Sequence, residues 1–378
     1  MQSEKILLIA GEVSGDAHAA ELVRAIHAEK PATKFYGIGG DELKALGMEI
    51  FFHISEMAFL GIGEIIKHLP FIFRVKKTLM DWAKKEKPDC VILVDYPGFN
   101  LRIAKSLHEI GVPVVYYISP QLWAWGQKRV EIIRRNIDRM IVLFPFEEKF
   151  YSENGIKATY VGHPLVDKHS KYLPDKPRKI NKGNVTLGLL PGSRKQEVTT
   201  LLPKMIETAV RLYHDNLVDH VEIVRVEHMP EEFYINLVAA APKIFTIVCK
   251  PLRECLPKYD AVMVASGTAT LECGYYAVPM LIVYHVNPLT YFLGKRLVKV
   301  KNIGLVNIVA EKQVAVELIQ HDFTVDKAFS VMKQILDPEN NLQLRTDLSI
   351  IKDKLGDPGA SSRAANVVTD LLNDEKHD

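Results

Sequence analysis

The feature that most constrains this chain is an alternation. A short continuous apolar run is followed by a loop rich in Gly, Ser or acid, then by a helical stretch, and the cycle repeats. Lys5 to Ala10, Phe35 to Ile38, Cys90 to Val94, Val112 to Ile118, Met140 to Phe144 and Thr159 to Val161 read as strands. These runs are apolar throughout instead of alternating with polar residues, so both faces of each strand are buried. That is the pattern of a parallel sheet covered by helices on both sides. From Lys168 to Asn184 the texture changes to a polar stretch with Pro174 and Pro177, which reads as a linker. The alternation then restarts with Val185 to Leu190, Val221 to Val226, Phe245 to Val248, Ala261 to Ala265 and Met280 to Tyr284. The expected fold is α/β, with two Rossmann-like domains facing a central cleft and C-terminal helices. The expected boundaries are 1–165, a linker at 166–184, 185–345, and a helical tail at 346–378.

Composition narrows the function classes. In 378 residues, 48 Lys+Arg against 46 Asp+Glu leave a formal charge of +2, which argues against a dedicated nucleic-acid binder. The apolar runs fall far short of the roughly 20 residues that span a bilayer. The first one ends at Gly11-Glu12, so no signal peptide is expected. Cys90, Cys249, Cys255 and Cys273 form no Cys-x-x-Cys pair and read as reduced core thiols rather than a zinc site.

In open α/β sheets ligands sit beyond the carboxyl ends of the strands, so the strand-end loops carry the functional signal. The first is Ala10-Gly11-Glu12-Val13-Ser14-Gly15-Asp16, where Glu12 and Asp16 would face the cleft, or Asp16 would cap the next helix. It is not Gly-x-Gly-x-x-Gly, so no dinucleotide cofactor is expected. In Asp95-Tyr96-Pro97-Gly98-Phe99-Asn100 an acid ends a buried strand, a costly position that makes Asp95 a candidate general base or else a capping acid. Asn100 would serve the site or cap the helix that follows. Trp123 and Trp125, in Ser119-Pro120-Gln121-Leu122-Trp123-Ala124-Trp125, suit a sugar or acyl surface or packing between domains.

In the second half, Leu190-Pro191-Gly192-Ser193-Arg194 joins a strand to a helix. Free N–H groups, the helix dipole and Arg194 together suit an anion. The Gly-Lys-Ser/Thr of a P-loop is missing. Ser266-Gly267-Thr268-Ala269-Thr270-Leu271-Glu272 repeats the arrangement with small hydroxyl residues, and Glu272 could accept from ribose hydroxyls.

Taken together and in this order, the loops resemble the lipid-A-disaccharide synthase family, glycosyltransferases of the two-Rossmann-domain (GT-B) type. The matching segments are Ala-Gly-Glu-Val-Ser-Gly-Asp at 10–16, Asp-Tyr-Pro-Gly-Phe-Asn at 95–100, Ser-Pro-Gln-Leu-Trp-Ala-Trp at 119–125 and Gln-Lys-Arg-Val at 127–130. Gly-His-Pro at 162–164, Leu-Pro-Gly-Ser-Arg-x-x-Glu at 190–197, Ala-Ser-Gly-Thr-Ala-Thr-Leu-Glu at 265–272 and Lys-Arg-Leu-Val-Lys at 295–299 also match. Where the family often has Ser-Leu-Pro-Asn, this chain has Gly304-Leu305-Val306-Asn307, which retains the Asn.

The resemblance implies transfer from UDP-2,3-diacylglucosamine to 2,3-diacylglucosamine 1-phosphate, with inversion and without a bound catalytic metal. The product would be the β-1,6-linked lipid A disaccharide 1-phosphate and UDP. It assigns the first domain to the acceptor and the second to the UDP-sugar. Asp95 or Glu12 is the expected base. Gly192, Ser193, Arg194, Ser266, Gly267, Thr268, Glu272 and Asn307 are the expected UDP contacts, and Ser14, Asp16, Asn100, Trp123 and Trp125 the expected acceptor-side residues. No Asp-x-Asp metal motif occurs in the chain. The implied setting is peripheral, on the cytoplasmic face of the inner membrane, and a homodimer is compatible with it. Two stretches suit a lipid surface: 57–80, apolar but interrupted by Glu64, Lys67 and Pro70, and Tyr291 to Lys301. Competing readings are a UDP-sugar 2-epimerase, which would not need the 57–80 stretch, and a non-catalytic binding module, which would not need Glu12, Asp95 and Arg194 together.

Overall fold

The computed structural model describes residues 3–57, 68–123, 126, 129–174, 176, 178–285 and 302–374. They form two compact units, one of residues 1–167 with 357–378, the other of residues 168–356.

The first unit holds a seven-stranded sheet of β1 (Lys5–Ala10), β2 (Lys34–Gly39), β3 (Glu49–His53), β4 (Cys90–Val94), β5 (Val114–Tyr117), β6 (Arg139–Val142) and β7 (Ala158–Tyr160), in the order 3-2-1-4-5-6-7. The second holds a six-stranded sheet of β8 (Thr186–Leu190), β9 (His220–Val224), β10 (Phe245–Val248), β11 (Ala261–Ala265), β12 (Met280–Tyr284) and β13 (Val316–Ile319), in the order 10-9-8-11-12-13. Every pairing in both sheets is parallel. Burial follows the apolar runs: Ile6 to Ala10 and Cys90 to Val94 are fully buried, as are Val262 to Val264.

Each sheet reverses its winding once, between β1 and β4 and between β8 and β11, and a crevice for ligand opens at such a switch point. All the loops singled out above leave the carboxyl ends of strands.

The helical tail divides between the units. Helices Val325–Ile335, Pro338–Leu348 and Ile350–Leu355 stay with the second. The last, Ala360–Asp374, returns to the first, where it packs against helix Val13–Glu29 and buries Ala364, Ala365, Val368 and Leu372. Asp167 holds its start, accepting from the backbone N–H of Gly359 at 2.5 Å and Ser361 at 3.1 Å. Cys90, Cys255 and Cys273 are core residues as expected, but Cys249, one position past β10, is exposed.

Candidate active site

At the first switch point, β4 ends in Asp95 and Tyr96, both left-handed with φ of 45° and 46°. Two successive side-chain-bearing residues in that region are strained and persist only where their surroundings hold them. The surroundings are specific. The Asp95 carbonyl accepts from the Asn100 side-chain amide at 2.8 Å and from the Tyr116 hydroxyl at 2.6 Å. The same Asn100 amide also donates to the Val94 carbonyl at 3.2 Å. The Tyr96 ring covers Gly11, where a Cβ would lie 2.4 Å from it. The turn thus orients the Asp95 side chain, whose carboxyl is pushed up to about 6 by burial and then by the Glu12 carboxylate, against a backbone hydrogen bond from Tyr96. Glu12 and Ser14 are exposed at the start of helix Val13–Glu29.

Two residues expected on the acceptor side are supports. Asn100 is fully buried beneath Asp95. Asp16 is buried, and its carboxylate accepts from the N–H of Gly40 at 2.6 Å and of Glu42 at 3.1 Å, capping helix Asp41–Ala45 rather than its own. Trp123 is half-buried, edge-on to Phe146 at 5.1 Å, and its indole N–H donates to Glu147 at 3.4 Å. Trp125 lies outside the described residues.

Glu147 is a residue that sequence reasoning missed. It is buried, and accepts from the Ser119 hydroxyl at 2.7 Å and from the N–H groups of Leu143 and Phe144 at 3.1 and 3.2 Å. Burial raises its carboxyl to about 7 against those hydrogen bonds. It ties the 119–123 loop to the start of helix Pro145–Glu153. A Glu three residues into a helix is a recognisable capping signal; its tie to Ser119 and Trp123 is not.

At the second switch point, β8 runs into Gly192, Ser193 and Arg194 ahead of helix Lys195–His214. Gly192 has φ of +104°, and a Cβ there would lie 2.5 Å from a Glu197 oxygen. Only glycine fits such a turn. Glu197 accepts from Arg194 at 3.1 Å, leaving the Arg194 side chain 67 % exposed. His228, also unforeseen, donates from Nε2 to the Ser193 carbonyl at 3.0 Å and ties the loop to the one after β9.

After β11, Gly267 borders open space and Thr268 is exposed. Ser266 donates to the Ile303 carbonyl at 3.3 Å. Glu272 lies 3.5 Å from His169 Nε2. Burial raises its carboxyl to about 7 while Lys168 and Arg253 pull it down. Burial also lowers His169 to about 4.

Asn307, expected to contact nucleotide, is fully buried. Its amide donates to the Ala315 carbonyl and Glu317, both at 2.8 Å, and accepts from Val314 and Ala315 at 2.8 and 2.9 Å. All four of its hydrogen-bonding positions are taken within the protein. It works with Glu317, which accepts from the N–H of Ile303 and Gly304.

Among the described residues, no group of three or more His, Cys, Asp or Glu is arranged to hold a metal ion.

The family model for lipid-A-disaccharide synthetase matches residues 6–363. A lipid-A-disaccharide synthase of Myxococcus xanthus is 39 % identical over 378 residues, covering 97 % of each chain. Among solved structures, the glycotransferase of kitacinnamycin superposes with a TM-score of 0.66 at 15 % identity, over 98 % of this chain and 100 % of that one. The UDP-GlcNAc 2-epimerase of Neisseria meningitidis superposes with a TM-score of 0.61 at 11 % identity, over 98 % and 100 %. At such identities the structural likeness speaks for the fold alone. The sequence matches decide the family: the chain belongs to the lipid-A-disaccharide synthase family, on an α/β fold of the two-Rossmann-domain type.

Proposed function

We propose that this chain, an enzyme of that family and a glycosyltransferase of lipid A disaccharide synthesis, joins UDP-2,3-diacylglucosamine to 2,3-diacylglucosamine 1-phosphate with inversion. The acceptor's 6-hydroxyl attacks the anomeric carbon from the face opposite UDP. A C–O bond forms, the bond to the β-phosphate breaks with its electron pair leaving on UDP, and the hydroxyl proton passes to Asp95. The observation that carries this reading is the Asp95 carboxyl, raised to about 6 at a switch point beside Glu12. Ionised at pH 7 to 8 yet more basic than a free Asp, it suits general-base work. Burial, and after it like-charge repulsion from Glu12, keeps it basic.

In this reading residues 1–165 bind acceptor and 185–345 bind donor, with 166–184 between them and 346–378 as supporting helices. Arg194, with the N–H groups of Gly192, Ser193, Gly267 and Thr268, stabilises the departing diphosphate. The Ser266 loop and Glu272 hold the uridine ribose. Asn307, Asn100 and Asp16 act as positioning residues, and Ser14 and Trp123 border the acceptor. No cofactor enters the chemistry.

The acyl chains of both substrates call for a lipid surface. No helix among the described residues is long and apolar enough to cross a membrane. Helix Leu69–Glu86 presents the exposed Phe73, Arg74 and Lys77 opposite its buried Val75, Leu79 and Ala83. That supports peripheral attachment to a lipid surface; the cytoplasmic face of the inner membrane is the setting the family implies. Of the other residues proposed for this contact, 58–67 and Tyr291 to Lys301 lie outside the described residues.

UDP release measured with and without acceptor tests the reaction. Release that depends on acceptor is expected. Equal release without it, or conversion of the donor to its 2-epimer, would overturn the assignment.

A further inference from the structure

Strands β4 and β5 end side by side, and both end in strained backbone. The Asp95 N–H donates to the Tyr117 carbonyl at 3.0 Å, and Ile118, the residue after that carbonyl, has φ of 67°. A β-branched residue in the left-handed region is an outlier that its surroundings must hold. Helix Pro145–Glu153 does the holding. Glu147 and Tyr151, four residues apart, share one face of it, and both are buried. The Tyr151 hydroxyl donates to the Pro120 carbonyl at 3.4 Å. Glu147 Oε1 accepts from the Ser119 hydroxyl and the Trp123 indole N–H, while Oε2 accepts from the N–H groups of Leu143 and Phe144.

The two oxygens have separate tasks. Oε2 caps the helix, as a Glu three residues in commonly does. Oε1 is surplus to the cap and reaches the loop that follows Ile118. All four partners are donors, so only a carboxylate satisfies both sides. An amide offers one oxygen and one NH2 group. Turned so as to keep the cap, it would set its NH2 against the Trp123 N–H. The Ser119 hydroxyl could reverse and accept, but the indole cannot. Trp123 lies edge-on to Phe146, which stacks on Phe144 at 5.4 Å. Trp123 and Phe146 are half-buried and leave apolar ring surface past the carboxyl ends of β5 and β6, the same end of the sheet as Asp95. Such a surface suits one side of a ligand site.

We propose that Glu147 is a positioning residue for the acceptor. Through Ser119 and Trp123 it fixes the 118–123 loop against the Asp95 turn, so that the Trp123 ring stands where the acceptor binds. It touches no reacting atom. The inference rests on the acceptor assignment of the first unit made above, and adds the buried group on which that site's shape depends.

Three measurements on the full chain test it: amide hydrogen exchange of the peptide carrying residues 118–123, and the equilibrium affinities for UDP and for short-chain 2,3-diacylglucosamine 1-phosphate, each bound alone. Glu147→Gln should speed exchange in that peptide by about tenfold or more, the scale of a lost hydrogen bond to a charged group. It should weaken acceptor binding by about ten- to a hundredfold, the scale for a displaced positioning group, and leave UDP affinity unchanged. Ser119→Ala leaves the cap's own donors in place and should show the same pattern to a smaller extent, which keeps the test open if Glu147→Gln fails to fold. Rescue supplies a readout that a purely structural role would not move. Trp123→Phe keeps a ring and removes the indole N–H, so Glu147→Gln added to it should cost acceptor binding less than about threefold.

Unchanged acceptor affinity in the Glu147 and Ser119 variants overturns the proposal, since the carboxylate would then be a helix cap alone. So does an equal loss of UDP affinity, or an undiminished loss in the Trp123→Phe background. Binding is read without turnover. A wild type that binds acceptor with this pattern but releases no UDP would refute the catalytic reading and leave the role of Glu147 standing.

Discussion

The two units follow one strand order and carry opposite chemistry at their switch points. In the first, β1 and β4 lead into Glu12 and Asp95, two carboxylates that repel each other. In the second, β8 and β11 lead into Gly192-Ser193-Arg194 and Ser266-Gly267-Thr268, where backbone N–H groups and one exposed guanidinium are on offer. The backbone differs in the same sense. The first unit forces Asp95 and Tyr96 into the left-handed region and holds them there with Asn100 and Tyr116. The second makes its turn with Gly192. Where the working group is a side chain, glycine cannot stand in for it and the turn must be strained. Where the working groups are N–H donors, glycine makes the turn without that strain and lets a ligand approach. The topology supplies the position, and the residue types decide the charge the position accommodates.

The largest effect that tests this contrast is removal of the proposed base. Asp95→Asn keeps the shape and the backbone hydrogen bonds but cannot take a proton. Turnover should fall by about 10² to 10⁴, the range for general-base loss, with UDP affinity unchanged. A joint collapse of UDP binding and turnover would merge the two sites and break the comparison.

Arg194→Ala should act in the opposite way. It removes the exposed cation and leaves Glu197 unpaired beside the proposed diphosphate site, so transition-state stabilisation should fall by about 2–4 kcal/mol, as for loss of an oxyanion donor. A decrease in kcat/KM of less than tenfold would show that the loop's N–H groups hold the diphosphate unaided.

The third effect is on stability. Folding raises Asp95 from 3.8 to about 6. Between those values the folded chain binds the extra proton, so this residue's contribution to stability falls as pH rises from about 4 to 6, and the cost is full above that. At 1.36 kcal/mol per unit the cost is at most about 3 kcal/mol. Asp95→Asn should therefore melt higher than wild type at pH 7.5, with the gap closing towards pH 4. An equal gap at both values would place the strain in the backbone instead of the charge.

The central strands of both sheets were legible in sequence because continuous apolar runs declare burial on both faces. Of the four edge strands, β7 and β10 were legible, while β3 (Glu-Ile-Phe-Phe-His) and β13 (Val-Glu-Leu-Ile) were not, because a charged or polar residue interrupts each short run. The loops were legible as places, and Glu12, Asp95 and Arg194 as the charged groups that end strands or start helices there. The amides were harder. Asn100 and Asn307 look like ligand contacts in a motif, yet both are fully buried and donate to the protein's own backbone. A motif records that a residue type is needed at a position without saying whether it faces solvent or the chain. Glu147 escaped notice for a related reason: its partner, Ser119, is set by loop geometry that spacing does not encode.

The smallest effect concerns the surface of helix Leu69–Glu86. Phe71 and Phe73 are neighbours in sequence and differ in environment. Phe71 packs against the core of the first unit, edge-on to Phe52 at 5.8 Å and beneath the Arg74 guanidinium. Phe73 is 67 % exposed. The two residues therefore give separate readouts. Phe71→Ser should lower the melting temperature, because it removes packed aromatic surface and leaves a hydroxyl in its place. Phe73→Ser should leave stability within about 0.5 kcal/mol, as for other exposed positions, and weaken vesicle co-sedimentation by up to about 2 kcal/mol of lost apolar burial. Since only the first unit carries this helix, separation of the two readouts would make lipid contact a third difference between the units. Unchanged vesicle binding with Phe73→Ser would remove this helix from the membrane contact.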